Sequence, residues 1–220
     1  YLGYIRTGDA TTDRISELGL RSLAHALQNR TSIDEVGVAK IDPDKDDLTF
    51  FPLLYWPLVT NQTPLTNEAA RRITYYLRHG GMILFDAAGS EGVAPSFLQH
   101  VLSGIELPPL IRLPEKHVLK RSFYLLNDFP GRFAGNDFWL EPEEASAYDG
   151  VASVLYGSNG WAAAWATDDT GHPLYPCTPG GEAQREHAIR FGVNLAIYAL
   201  TGNYKSDQLQ TKALLEKMDK

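Results

Sequence analysis

The chain has 220 residues, enough for one domain of ordinary size, and its 44% hydrophobic and 21% charged residues fit a globular core and exclude a disordered or fibrous chain. A net charge of −7 and a pI near 5.3 argue against a binder of nucleic-acid phosphates, which would carry a basic face. No run approaches the roughly eighteen apolar residues of a membrane helix, so direct insertion of this chain into a bilayer is not expected.

Leu2–Arg6 reads as a buried strand running into the turn Thr7-Gly8-Asp9, and Thr12 is the expected cap of the following helix. Ile15, Leu18, Leu23, Ala26 and Leu27 give that helix one apolar stripe up to about Asn29. Val36–Ile41 is a second short strand. In the aromatic run Phe50–Val59, Pro52 and Pro57 confine a strand to Leu53–Trp56 or to positions where their missing donors are not needed. Thr66 caps a helix whose inner stripe is Ala69, Ile73, Tyr76 and Leu77, and Gly80 stops it. Met82–Phe85 is a buried strand ending at Asp86, and Pro95–Leu102 a short helix.

Prolines break up Ile105–Gly150. A strand is expected around Ser122–Leu126, and the remainder reads as an excursion over the surface. Val151–Tyr156 and Trp161–Thr167, joined by Gly157-Ser158-Asn159-Gly160, are expected to form a hairpin. A last amphipathic helix carries Ile189, Val193, Ala196, Ile197 and Leu200 and should end at Gly202, with Ser206 capping a polar helix to about Met218. Strands alternating with amphipathic helices imply a single α/β domain, flavodoxin-like, with a mostly parallel sheet covered on both faces. One cysteine, Cys177, excludes an intrachain disulfide and leaves the compartment unread. A chain that opens on a strand without an initiator Met is expected to be part of a longer protein.

The segments FFPLLYWPL, RRITYYLRHGGMILFDAAGSEG, KHVLKRSFYLL and RFGVNLAIYALTGNY resemble the bacterial domain of unknown function DUF4159 over nearly the whole chain. The resemblance implies a class I glutamine amidotransferase-like three-layer sandwich related to ThuA-like proteins. It also implies a soluble domain at the C-terminal end of a larger membrane-associated protein, behind a BatA-like N-terminal region. That region is one candidate partner. Amidotransferases of this class carry a nucleophilic Cys on the sharp turn after the strand that corresponds to Met82–Phe85. This chain has Asp86 there, and Cys177 lies far away in a Pro-rich loop, so glutamine hydrolysis of that kind is not expected.

Ligands of parallel α/β sheets bind beyond the C-terminal strand ends. Sequence order brings Arg6, Thr7, Asp9, Tyr55, Trp56, Ser90, Asn159 and Trp161 to that edge as candidate ligand contacts. Asp86 with Glu91 would make an acid–base carboxylate pair if their environments split their pKa values, or Asp86 simply hydrogen-bonds the following turn; strand-to-helix turn chemistry favours the latter. His117 is a candidate base in a Lys/Arg-rich stretch that lowers its pKa, or an ordinary packing histidine, which the lack of a second ligand motif favours. Arg6 with Asp9 would orient an anion or form an internal ion pair. His25, His79, His100, His172 and His187 show no metal-binding spacing, so no metal site is expected. Gly157–Gly160 lacks the P-loop Lys and the Rossmann spacing, so no cofactor is expected either. Phe50, Phe51, Tyr55 and Trp56 form core, or stack a sugar or partner at the strand end. Two classes of function stand, beside a pure scaffold that pairs with its own N-terminal region. One is a non-catalytic module binding a small polar ligand or a protein partner. The other is a hydrolase or carbohydrate-active enzyme using Asp86, Glu91 and His117 in one cleft.

Overall fold

Residues along the central strands bury both of their faces, and this alternation builds two separate cores. Strand β3 (Leu53–Pro57) sends Leu53 and Tyr55 into one core and Leu54 and Trp56 into the other. Strand β4 (Met82–Asp86) divides in the same way, Met82 and Leu84 against Ile83 and Phe85. Such strands must sit in the middle of a sheet with helices on each side. The computed structural model describes residues 1–60, 62–88, 101–146 and 150–218.

The other strands are β1 (Leu2–Ile5), β2 (Val38–Ile41), β5 (Ile111–Arg112), β6 (Trp139–Leu140) and β7 (Val154–Gly157). They form a seven-stranded sheet in the order β2-β1-β3-β4-β7-β6-β5. The pairs β2–β1, β1–β3, β3–β4 and β4–β7 are parallel, while β7–β6 and β6–β5 are antiparallel. The parallel part has the doubly wound order compatible with a flavodoxin-like fold. Pro57 sits at the last position of β3, where the strand can end without its donor.

Helix α1 (Ala10–Arg30) covers one face with α3 (Trp161–Trp165) and α4 (Gly181–Met218). Helix α2 (Asn67–Arg78) covers the other through Ile73, Tyr76 and Leu77. Fully burying side chains such as Leu54, Phe85 or Phe191 stabilises the fold by about 1.5–3 kcal/mol each. No helix among the described residues is long and apolar enough to cross a membrane.

Thr66 caps α2 as expected, its Oγ1 accepting the Ala69 N–H. Five other expectations are corrected. The cap of α1 is Asp9, whose Oδ1 accepts the Thr12 N–H at 2.7 Å, because the carboxylate lies one turn nearer the helix start. Trp161–Trp165 is a helix and makes no hairpin; its Ala162-Ala163-Ala164 centre has the highest helix propensity and lacks β-branched residues. Ser122–Leu126 forms no strand. The segment ahead of it is a 3-10 turn, Val118–Arg121, and the Tyr124 N–H is taken by the Asn194 side chain. The stretch from Ile105 is a packed extension that adds β5 and β6 to the sheet and buries Leu119, Leu126, Phe129 and Phe138. Helix α4 runs through Gly202 to Met218. The helix expected at Pro95–Leu102 lies, up to His100, outside the described residues.

Helix α1 can lie against α3 because residue 19 is glycine. A Cβ there would meet the Ala162 carbonyl oxygen at 2.3 Å, and backbone cannot move aside cheaply. Gly19→Val should therefore destabilise the protein by about 1–3 kcal/mol or more, read as a lower urea midpoint with an unchanged slope.

Candidate functional site

Asp86 ends β4 on the same face as Met82 and Leu84 and points beneath α1 and α3. It is 2% exposed. A buried carboxylate is costly unless every lone pair is engaged. Here Oδ2 accepts the Tyr55 hydroxyl and the Trp161 N–H, both at 2.8 Å. Oδ1 accepts the Gly160 N–H at 3.1 Å and the Ala88 N–H at 3.2 Å. A carboxylate has about four acceptor sites, so these donors leave none for a ligand. Burial raises the Asp86 pKa above its ordinary range, and the four hydrogen bonds pull against that rise. Burial beside Asp86 likewise holds the Tyr55 hydroxyl well above its ordinary value, fixing it as a donor.

This carboxylate does the work of a helix cap from 75 positions away in sequence. Helix α3 has no side-chain cap of its own, since Gly160 precedes it at φ 69°, and Asp86 takes its first free N–H groups. The other end is held by the buried Arg185 guanidinium, which donates to the Ala164 and Tyr175 carbonyls. A carboxylate at the start and a cation at the end both complement the helix dipole.

Above Asp86 lies a cavity of about 120 Å³, bounded by α1, the ends of β3 and β4, α3 and the 131–133 loop. Thr12, Ser16, Tyr55, Leu58, Arg132 and Ala163 line it, and Asp86 and Arg132 are its two charged side chains. The Arg132 loop is fastened through its backbone. The Arg132 N–H donates to Gly160, and its carbonyl accepts from the Thr178 N–H and the Gln184 side chain. Its guanidinium sits 5.4 Å from the ring centroids of both Phe133 and Tyr175.

Of the residues expected at this edge, Tyr55 and Asp86 meet in the cavity. Arg6 and Thr7 border a neighbouring cavity of about 290 Å³. Arg6 pairs with Asp42 at 2.9 Å rather than with Asp9, which is committed to capping α1. Thr7 donates its N–H and hydroxyl to Asp13. Trp56 lies in the opposite core, because it alternates with Tyr55 along β3. Trp161 is core, its Nε1–H donating to Phe129. Asn159 is buried and also donates to the Phe129 carbonyl. Ser90 and Glu91 lie outside the described residues. Arg132 and Phe133 were not among the candidates: their loop carries no motif, and only its packing on Gly160 and Gln184 brings it to the site.

His117 belongs to the other end of the sheet. It packs edge-on against Tyr198, whose hydroxyl accepts the Ala152 N–H ahead of β7. Gly157, paired with Asp86, lies five residues further on, roughly 16 Å at strand rise. His117 Nδ1 accepts the Leu119 N–H, so the neutral ring carries its proton on Nε2, 3.9 Å from Glu143. Burial, seconded by Lys120, lowers its pKa against the pull of Glu143. No group of three or more potential metal ligands occurs among the described residues.

Asp86→Ala should cost about 3–5 kcal/mol in chemical denaturation, since it strands the buried Gly160 and Trp161 N–H groups and the buried Tyr55 hydroxyl. His117 sets a pH dependence with a definite sign. Its folded pKa is lowered, so its contribution is full above the ordinary value of 6.5 and is lost as pH falls through the folded value. His117→Asn keeps an acceptor for Leu119 and does not titrate. Its stability should fall less than that of the wild type between pH 7.5 and 5, measured by urea denaturation.

No curated protein matches the chain. The sequence model described as a domain of unknown function, DUF4159, matches residues 1–200. With nine-tenths of its length matched, including every strand and the cavity residues, the chain belongs to the DUF4159 family.

Proposed function

We propose that this domain is a non-catalytic binding module that takes the polar head of a small ligand into the cleft over Asp86. The observation that carries this is the saturation of Asp86. The residue at the position of an amidotransferase nucleophile spends both oxygens on the fold and keeps no lone pair for acid–base work. The separation of Asp86 from His117 works against the hydrolase alternative, which needs both in one cleft. What remains is a small, rigid, mostly apolar recess with a few convergent polar groups, the usual character of a binding site.

We read the scaffold as amidotransferase-like, in keeping with the sheet order and the family resemblance. The same resemblance supports a tethered setting, with the domain carried by a membrane-anchored bacterial protein. The N-terminal region of that full-length chain is then the first protein partner to test.

Ligand binding is tested by thermal shift against sugars, nucleotides and carboxylates, comparing wild type with Ala163→Leu. Ala163 lines the cavity and is 8% exposed, so a leucine there fills the recess from α3. Asp86→Ala is unsuitable for this purpose because it weakens the fold itself. A compound at 100 times its Kd should stabilise the wild type by about 2.7 kcal/mol and leave Ala163→Leu unchanged. Equal shifts in both proteins would put the site elsewhere, and a screen without shifts would direct attention to protein partners.

A further inference from the structure

We infer that the cleft selects a ligand bearing an oxyanion, a carboxylate or a phosphate group, and that the Arg132 guanidinium is the recognising group. This rests on the reading of the Asp86 cleft as a ligand site.

Two charged side chains line the cavity, and they differ in what they have left to offer. The four acceptor positions of Asp86 are filled by Tyr55, Trp161, Gly160 and Ala88, so a ligand cation would find no free lone pair there. Arg132 is the reverse case. Its guanidinium makes no hydrogen bond or ion pair with a described residue, so none of its five N–H donors is spent on one. The other cations near this face are already occupied: Arg6 and Lys45 pair with Asp42, and Arg185 donates to two carbonyls and Glu182.

Arg132 is also positioned in advance. Its backbone is fixed to Gly160, Thr178 and Gln184, and its guanidinium is flanked by Phe133 and Tyr175 at 5.4 Å. Cation–π contact with the two rings restrains the guanidinium without using its N–H groups, and a free guanidinium fork matches two oxygens of a carboxylate or phosphate. Little side-chain freedom remains to be lost on binding. The cavity, about 120 Å³, is small and has room for an oxyanion head.

The test is isothermal titration of the full chain with inorganic phosphate, with succinate and with neutral glucose. The proteins are wild type, Arg132→Gln, Arg132→Lys and Ala163→Leu, each checked for its melting temperature. The expected result is binding of phosphate or succinate to wild type, weakened at least about tenfold in Arg132→Gln and less in Arg132→Lys, and lost in Ala163→Leu. Which of the two anions binds more tightly identifies the class. Equal anion affinity in wild type and Arg132→Gln overturns the inference. So does binding of glucose, blocked by Ala163→Leu, without binding of either anion; that outcome would leave the cleft as a site for neutral ligands. Absence of binding by all three probes overturns the inference and the cleft reading for such ligands together. If Arg132→Gln fails to fold, Arg132→Lys decides, since full retention of affinity there shows that the planar fork is not used.

Discussion

The fold at the C-terminal edge depends on one buried carboxylate. Asp86 joins the end of β4 to the start of α3, and α3 joins the sheet to α1 and α4. Isolating such a charge from water costs several kcal/mol, and that cost is offset only while all four donors are in place. The donors come from three separate parts of the chain: β3 through Tyr55, the β4 turn through Ala88, and the 160–161 turn. The carboxylate is thus a closure condition. The strands must be in register before the helix end can be satisfied, and a helix of five residues could not hold its own shape without that anion at one end and Arg185 at the other.

The same arrangement commits the carboxylate at the end of β4 to the fold. A turn after the central strand is a good position for a nucleophile because the side chain stands above the sheet among free N–H donors. With a carboxylate there, the donors close on the side chain itself. Among the described residues, the Ala88, Gly160 and Trp161 N–H groups are spent on Asp86, while the Arg132 guanidinium on the cavity wall makes no hydrogen bond.

The central sheet was legible because its information is local and periodic. Leu53-Leu54-Tyr55-Trp56 and Met82-Ile83-Leu84-Phe85 announce strands buried on two faces, and Thr66 and Gly80 mark their helix by chemistry within one turn. Asp86 was legible as a site and as a turn-bonding residue at once. The remainder was hidden where partners are distant. Trp161–Thr167 is an apolar run that fits a strand or a helix; its Ala-rich centre favours the helix, and a carboxylate 75 residues earlier caps the helix start. The Pro-broken stretch from Ile105 reads as surface because it lacks periodicity, yet Asn194 of α4 accepts the Tyr124 N–H, donates to the Leu119 and Tyr124 carbonyls and helps bury it. His117 and Asp86 share a face of the sheet, but strand direction separates them end to end, which composition around His117 does not express.

The cavity wall follows the same logic. Segments 131–133 and 158–160 have little regular structure, yet side chains from elsewhere hold them. Gln184 donates to the Gly131, Arg132 and Thr178 carbonyls, and Asn159 ties its own loop to Phe129. Gly131 has room for no Cβ, since one would meet the Asn159 carbonyl oxygen at 2.3 Å. Loops carry binding groups readily because they tolerate change, but a loop binds selectively only when it is rigid. Here the rigidity is supplied by buried amides on a core helix and a core turn. Arg132 therefore has a fixed backbone and a head with no described partner, while Asp86, on the same cavity, has a committed head and a structural duty. On the proposed reading, substitutions at the two residues act on different quantities, affinity at Arg132 and stability at Asp86, so the cleft can be tested without disturbing the fold.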